Sequence, residues 1–252
     1  MVARESKLAG EVHVVTGGAS GIGKATALMM AREGASVALI GRTFSRLESA
    51  AAEIHGETGT TVLPLQADVG VGDDVERAFR TIAEKLGPID VLLNNAGTES
   101  FGAVDELAEE KWDDRQATNL KAYFLTAKAA LTIGGMKQRR KGLIINTAST
   151  LVRASHPGWA AHVAFKHGAL GFTQSLQKEV AAYDVRVTLL CPGIVSTDWA
   201  LGAPVDSEIR KVHANPGYIT AEDVAEVTMF VITRPPNVNI GEISVFDTGR
   251  RQ

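Results

Sequence analysis

Two groups of residues have the types and spacing to do chemistry. The first is the glycine-rich run TGGASGIG, from Thr16 to Gly23. It follows the apolar stretch VHVVT and opens a segment of helical period, a context in which backbone N–H groups and the positive end of a helix are brought to an anion. Gly17 permits a tight turn, Gly21 lets the main chain approach a pyrophosphate, and Gly23 lets the helix pack closely, with Ser20 and Ile22 in the same turn. The spacing is GxxxGxG and not GxGxxG, so by itself the turn leaves a purely structural connection open. The second group is His162 and Lys166 in HVAFK. An i, i+4 pair shares one helical face and can address one cleft. A neighbouring ammonium pulls an imidazole below its ordinary value of about 6.5, making it a poor acid. It can still act as a base or relay a proton through water, and such catalysis is worth about 10²–10⁴-fold.

After the next apolar run, SVALIG, stands Arg42. An acid there would bind the 2′-hydroxyl of an NAD ribose, whereas Gly41 offers none and arginine can pair with a 2′-phosphate. NADP(H) is therefore the expected dinucleotide. The bland alternative is an exposed loop cation.

Short Val/Ile/Leu-rich runs alternate with helical segments along the chain, the signature of βαβ units. Strands are expected near 12–16, 36–41, 61–65, 89–93, 142–147, 185–190 and 242–246. Helices are expected over 23–33, 43–55, 73–86, 110–133, 158–182 and 221–232, the last opened by a capping box of Thr220 and Asp223. Most strands lack polar alternation, as strands covered on both faces do. The fold class is thus α/β: a single Rossmann-fold domain over 1–252, with a doubly wound, parallel, seven-stranded sheet and helices on both faces. The Gly- and Pro-punctuated stretch 196–219, with a short helical candidate near 206–213, is expected to be a substrate lid.

With these elements in order, the chain resembles the short-chain dehydrogenase/reductase family from Leu8 to Gly249. TGGASGIG looks like that family's cofactor turn, Ala67-Asp68-Val69 like its adenine contact, and Asn94-Asn95-Ala96-Gly97 like its NNAG. Pro192-Gly193 with Val195 and Thr197 resembles the segment that holds the nicotinamide carboxamide. The resemblance implies a catalytic set of Asn, Ser, Tyr and Lys, met here by Asn119, Ser149 and Lys166, with His162 at the tyrosine position. It also implies a homotetramer or dimer built on the helices at 110–133 and 158–182.

Three readings of His162 are open: a working acid/base in an oxidoreductase acting on a small-molecule carbonyl or alcohol, an oxidoreductase relying on Ser149 or water, and a non-redox protein. The last covers a nucleotide-binding regulator and a lyase or isomerase. Further pocket candidates are Arg153, His156 and Trp159, then Trp199, His213 and Tyr218 in the lid, with Glu99 and Ser100 at the mouth.

Composition narrows the classes. Across 252 residues, 45% are hydrophobic and 22% charged, and the net charge is −3, so neither a nucleic-acid nor an anionic-membrane surface is suggested. The basic run KQRRK, Lys137 to Lys141, reads as a solvated helix end. One cysteine, Cys191, excludes an internal disulfide, and six histidines without ligand spacing suggest no protein-bound metal. No stretch is apolar over the ~18 residues that span a bilayer, and MVARESKLAG lacks an apolar signal region. A cytoplasmic location is expected.

Overall fold

A computed structural model describes residues 6–197 and 218–248. Seven strands form one all-parallel sheet: β1 (Val12–Thr16), β2 (Ser36–Gly41), β3 (Val62–Gln66), β4 (Val91–Asn94), β5 (Gly142–Thr147), β6 (Val185–Pro192) and β9 (Glu242–Val245). Their spatial order is β3-β2-β1-β4-β5-β6-β9. The order reverses between β1 and β4, and ligands of open α/β sheets bind beyond the strand C-termini at such a switch point. A separate parallel pair, β7 (Val195–Ser196) with β8 (Ile219–Thr220), joins the two described ends of the expected lid. The stretch between them, 198–217, with Trp199, His213 and the helical candidate near 206–213, lies outside the described residues.

Alternate side chains of the central strands feed two apolar layers. Val14, Leu92 and Ile144 join a core with α3 (Gly72–Lys85), α5 (Ala122–Thr132) and α7 (Ala160–Val180). Val15, Leu93 and Ile145 face the other way, against α1 (Gly21–Arg32), α2 (Phe44–Thr58) and α8 (Ala221–Ile232). Both faces are covered, which is why the strands read as continuous apolar runs. Thr220 and Asp223 form the expected capping box at the start of α8.

Two expectations need correction. The helix expected over 110–133 is interrupted: α4 (Glu109–Gln116) passes into a π turn at Ala117–Lys121 before α5. Periodicity could not show this, because the extra residue of a π turn is a matter of hydrogen-bond register and leaves the helical pattern on either side. The basic run is also more than a solvated helix end. After the break at Gly134 and Gly135, a short helix α6 (Met136–Arg139) brings Arg139 to Asp90, and Lys141, just beyond it, joins the same carboxylate.

Asp90 closes the N-terminal edge of the sheet. Its carboxylate accepts from Val12 N at 3.1 Å and Arg139 Nη1 at 2.9 Å, and lies 3.1 Å from Lys141 Nζ. Its backbone pairs with both neighbours, through Asp90 N to Val12 O and Leu143 N to Asp90 O. Burial alone would raise its pKa, but the donors from Arg139, Val12 and Lys141 outweigh burial and hold it below the ordinary carboxylate value. Asp90→Ala should cost about 2–3 kcal/mol, since it leaves partly buried donors without their acceptor. Because the folded pKa lies below the unfolded value of about 3.9, this contribution is complete above that pH and lost as pH falls through the lower folded value. Thermal unfolding of wild type and variant should differ most near pH 7 and converge as pH falls below about 3.9 and through the lower folded value.

Candidate active site

The glycine turn is shaped by close backbone approach. Gly17 has φ +67° and donates its N–H to Ile40 O at 2.8 Å. A Cβ on Gly23 would stand 2.3 Å from the Gly17 carbonyl oxygen, so no larger residue fits without moving the turn. Ser20 precedes α1 without a side-chain cap, leaving the first-turn N–H groups of that helix for an anion. Across the cleft, Thr197 lies about 3.5 Å from where a Gly21 side chain would begin. The turn thus meets the segment after β6.

The turn is tied to β4 by a residue that motif reading passes over. Thr16 Oγ1 accepts from both Asn95 N and Ala96 N at 3.0 Å. Asn94 is buried, with its amide committed to Asn146 Oδ1 at 2.9 Å and Thr126 Oγ1 at 2.8 Å, so its side chain serves the frame. Asp68 also has local duties: its N–H donates to Asp74 and its carboxylate accepts from Gly70 N at 2.8 Å. Val69 is buried beside it and Ile22 partly so. Beyond β2, Arg42 is exposed, and its carbonyl accepts from Gln66. Next to it, Lys24, Ser45, Arg46 and Ser49 line a notch between α1 and the start of α2. Lys24 is paired with Glu53 at 2.6 Å. Arg46 is an addition to the sequence reading, which stopped at the strand end.

On the far side of the switch point, the π turn places Asn119. Its amide holds the loop after β4, accepting from Thr98 N at 3.2 Å and donating to Thr98 O at 3.1 Å and Arg115 O at 3.0 Å. Gly97 packs against it, since a Cβ there would lie 3.0 Å from Asn119 Oδ1. Ser100 is buried in the same cluster, and the Glu99 carbonyl accepts from Arg115. Ser149 follows β5 and caps a 3₁₀ turn, its Oγ accepting from Leu151 N at 3.2 Å. The hydroxyl proton is still able to donate.

Lys166 and His162 are both buried on α7. The Lys166 ammonium donates to Thr147 O at 3.1 Å, and burial pulls its pKa to about 8. Burial first, then the Lys166 charge, hold His162 down at about 3. Phe101 and Trp159 stack at 4.4 Å and flank the imidazole, with ring centroids 5.6 and 6.0 Å from it. Phe101 escaped sequence reading because a lone aromatic in a loop carries no spacing signal. His156 is exposed, with its ring 5.8 Å from that of Trp159, and Arg153 binds Glu242 through both carboxylate oxygens at 2.6 and 2.7 Å. That ion pair removes Arg153 as an uncommitted anion binder. Tyr218 is partly exposed at the start of β8.

Residues 11–204 match the short chain dehydrogenase family model. A 3-oxoacyl-(acyl-carrier-protein) reductase of Thermotoga maritima is 31% identical over 96% of this chain and 98% of its own. The protein of the same name from Vibrio cholerae is 37% identical over 76% of each. An alcohol dehydrogenase of the archaeon Thermococcus sibiricus, complexed with 5-hydroxy-NADP, superposes with a TM-score of 0.85 at 30% identity, covering 96% of this chain and 98% of that one. The chain belongs to the short-chain dehydrogenase family. Among the described residues no cluster could hold a metal, and no helix is long and apolar enough to cross a membrane.

His162 leaves a signature that needs no substrate. Its folded pKa lies below the unfolded value, so the folded state resists protonation, and stability is lost as pH falls below about 6.5. A drop to about 3 corresponds to about 2 kcal/mol at pH 5. His162→Gln, which cannot protonate, should retain that stability, seen as a smaller loss of Tm between pH 7 and 5 than in wild type. Equal losses would show that the imidazole is not held neutral.

Proposed function

We propose that the chain is an NADP(H)-dependent oxidoreductase that moves a hydride between the nicotinamide and the carbonyl carbon of a small or medium-sized ketone or alcohol. The observation that carries this reading is that the glycine turn after β1, Ser149 after β5, and Lys166, tied to Thr147 O at the end of β5, all stand at C-terminal ends of strands of one parallel sheet. The cradle fits a pyrophosphate, with Gly17, Ser20, Gly21, Ile22 and Gly23 around it. Arg42, joined by Arg46, would hold a 2′-phosphate; Asp68 and Val69 would border the adenine; Asn94 and Gly97 would support the floor; Val195 and Thr197 would meet the carboxamide. A family relative that carries 5-hydroxy-NADP supports the same assignment.

When bound, the cofactor supplies or accepts the hydride. Ser149 donates its hydroxyl to the substrate oxygen, and the Lys166 charge stabilises negative charge developing there, in a site where burial strengthens the field. His162 stands where the resemblance puts tyrosine. Its low pKa makes it a neutral N–H donor to that oxygen and not an imidazolium acid, so the proton that completes reduction comes from water. Asn119 acts by holding the loop at Thr98.

The test is nicotinamide absorbance with a carbonyl panel, using NADPH and NADH, on wild type, Ser149→Ala, His162→Ala and His162→Tyr. Wild type should turn over, and Ser149→Ala should lose about 10²-fold or more. Arg42→Ala and Arg46→Ala should each weaken NADPH binding about tenfold and leave NADH unchanged. An inert wild type that gains turnover on His162→Tyr would favour a nucleotide-binding regulator, for which the neutral buried imidazole is the supporting observation. Product formed without net absorbance change would indicate a lyase or isomerase.

The homo-oligomer is part of the same reading. Trp112 on α4 and Phe124 on α5 are exposed, large apolar groups on helices expected to self-associate. Light scattering should give a dimer or tetramer mass, and a monomer would overturn this part.

A further inference from the structure

The carbonyl of Thr147, at the end of β5, accepts from two side chains. Lys166 Nζ donates at 3.1 Å from α7, and Tyr123 Oη donates at 2.5 Å from α5. A carbonyl oxygen has two lone-pair directions, and these two donors take both. The phenol is fully buried among Ala148, Val152, Ala169, Leu189 and Cys191. Burial drives its pKa upward, so it remains a protonated donor. The titratable neighbours that face Lys166 among the described residues are His162 on its own helix and Cys191 on β6. Tyr123 reaches the ammonium through the shared acceptor.

We infer that Tyr123 is a positioning residue for Lys166: by occupying one lone pair of the Thr147 carbonyl, its hydroxyl limits how strongly that oxygen can draw the ammonium inward. An oxygen already engaged in a short hydrogen bond is a weaker acceptor for the next donor. The ammonium is held, but weakly enough to keep a low affinity for its proton and to stay available to the cleft. Without the hydroxyl, the carbonyl would bind the ammonium more firmly and stabilise its charged form. The cost would be a Lys166 that titrates later and engages a cofactor less. The functional consequence rests on the reading of Lys166 as the group that meets cofactor and substrate; the coupling itself does not.

The coupling is measured on the full chain with neither cofactor nor substrate, so failure of the redox reading leaves this test intact. The Lys166 ammonium is followed by NMR of labelled lysine through a pH titration, with Lys166→Arg identifying the resonance. Tyr123→Phe keeps the ring and removes the donor, and should move the Lys166 midpoint up by about half a unit or more. A fluorinated tyrosine placed at 123 keeps the fold and is a stronger donor, and should move it down. Phe79→Leu, a cavity in the α3 layer, controls for general loosening and should leave the midpoint where it is. An unmoved midpoint in both Tyr123 variants, or an equal shift in Phe79→Leu, would overturn the inference. In an active enzyme, Tyr123→Phe should shift the pH profile in the same direction.

Discussion

A buried ammonium is the constraint around which the site is organised. Lys166 is shielded from water on α7, and a charge in that setting must find polar partners or lose its proton. Its described surroundings are a carbonyl that it shares with a phenol, an imidazole held neutral, and a thiol whose pKa burial pushes up to about 12. None of these brings a formal negative charge near neutral pH. The positive potential is left to act on what enters the cleft, as a site that stabilises a developing oxyanion requires.

The position of that charge depends on a polar frame buried under the site. Thr126 on α5 donates to Asn94 on β4, Asn94 to Asn146 on β5, and Asn146 to Thr173 on α7, at 2.8–2.9 Å. Thr173 in turn donates to Ala169 O at 2.7 Å. Each link has a partner, so the chain specifies register without the cost of an orphaned buried amide. It ties α5 and α7 to neighbouring strands, and so ties Tyr123 and Lys166 to the end of β5. Thr16 does the same for the glycine turn by holding Asn95 and Ala96.

Most of the fold was legible because parallel strands covered on both faces announce themselves as apolar runs. Strand ends differed by a residue or two at β3, β4, β6 and β9, where hydrogen bonding and not hydropathy decides the boundary. The tight glycine turn was legible because glycine spacing reflects a steric demand, visible in the 2.3 Å approach to Gly17 O. What stayed hidden was the work of residues whose partners are distant in sequence. Arg139 and Lys141 read as surface charge until Asp90 stood between them. Arg153 read as one pocket candidate among several, and its pairing with Glu242, 89 residues away, had no sign in the sequence. Tyr123 carried no signal of its own, since nothing in ATNLKAYF says where its hydroxyl ends.

The two halves of the site answer to different physics. The glycine turn, Arg42 and Arg46 lie on the β1–β2 side, and in the proposed reading they would act through backbone shape and fixed charge, neither of which depends on position 162. The proton question lies wholly on the β5–α7 side, where Phe101 and Trp159 wall the imidazole. The burial that lowers the basicity of His162 would also strengthen the Lys166 field at a substrate oxygen placed there. Burial thus weakens the imidazole as a general acid and strengthens electrostatic stabilisation at once. A reductase built this way would depend on the second effect, with Ser149 and a neutral imidazole orienting the carbonyl and Lys166 carrying the charge.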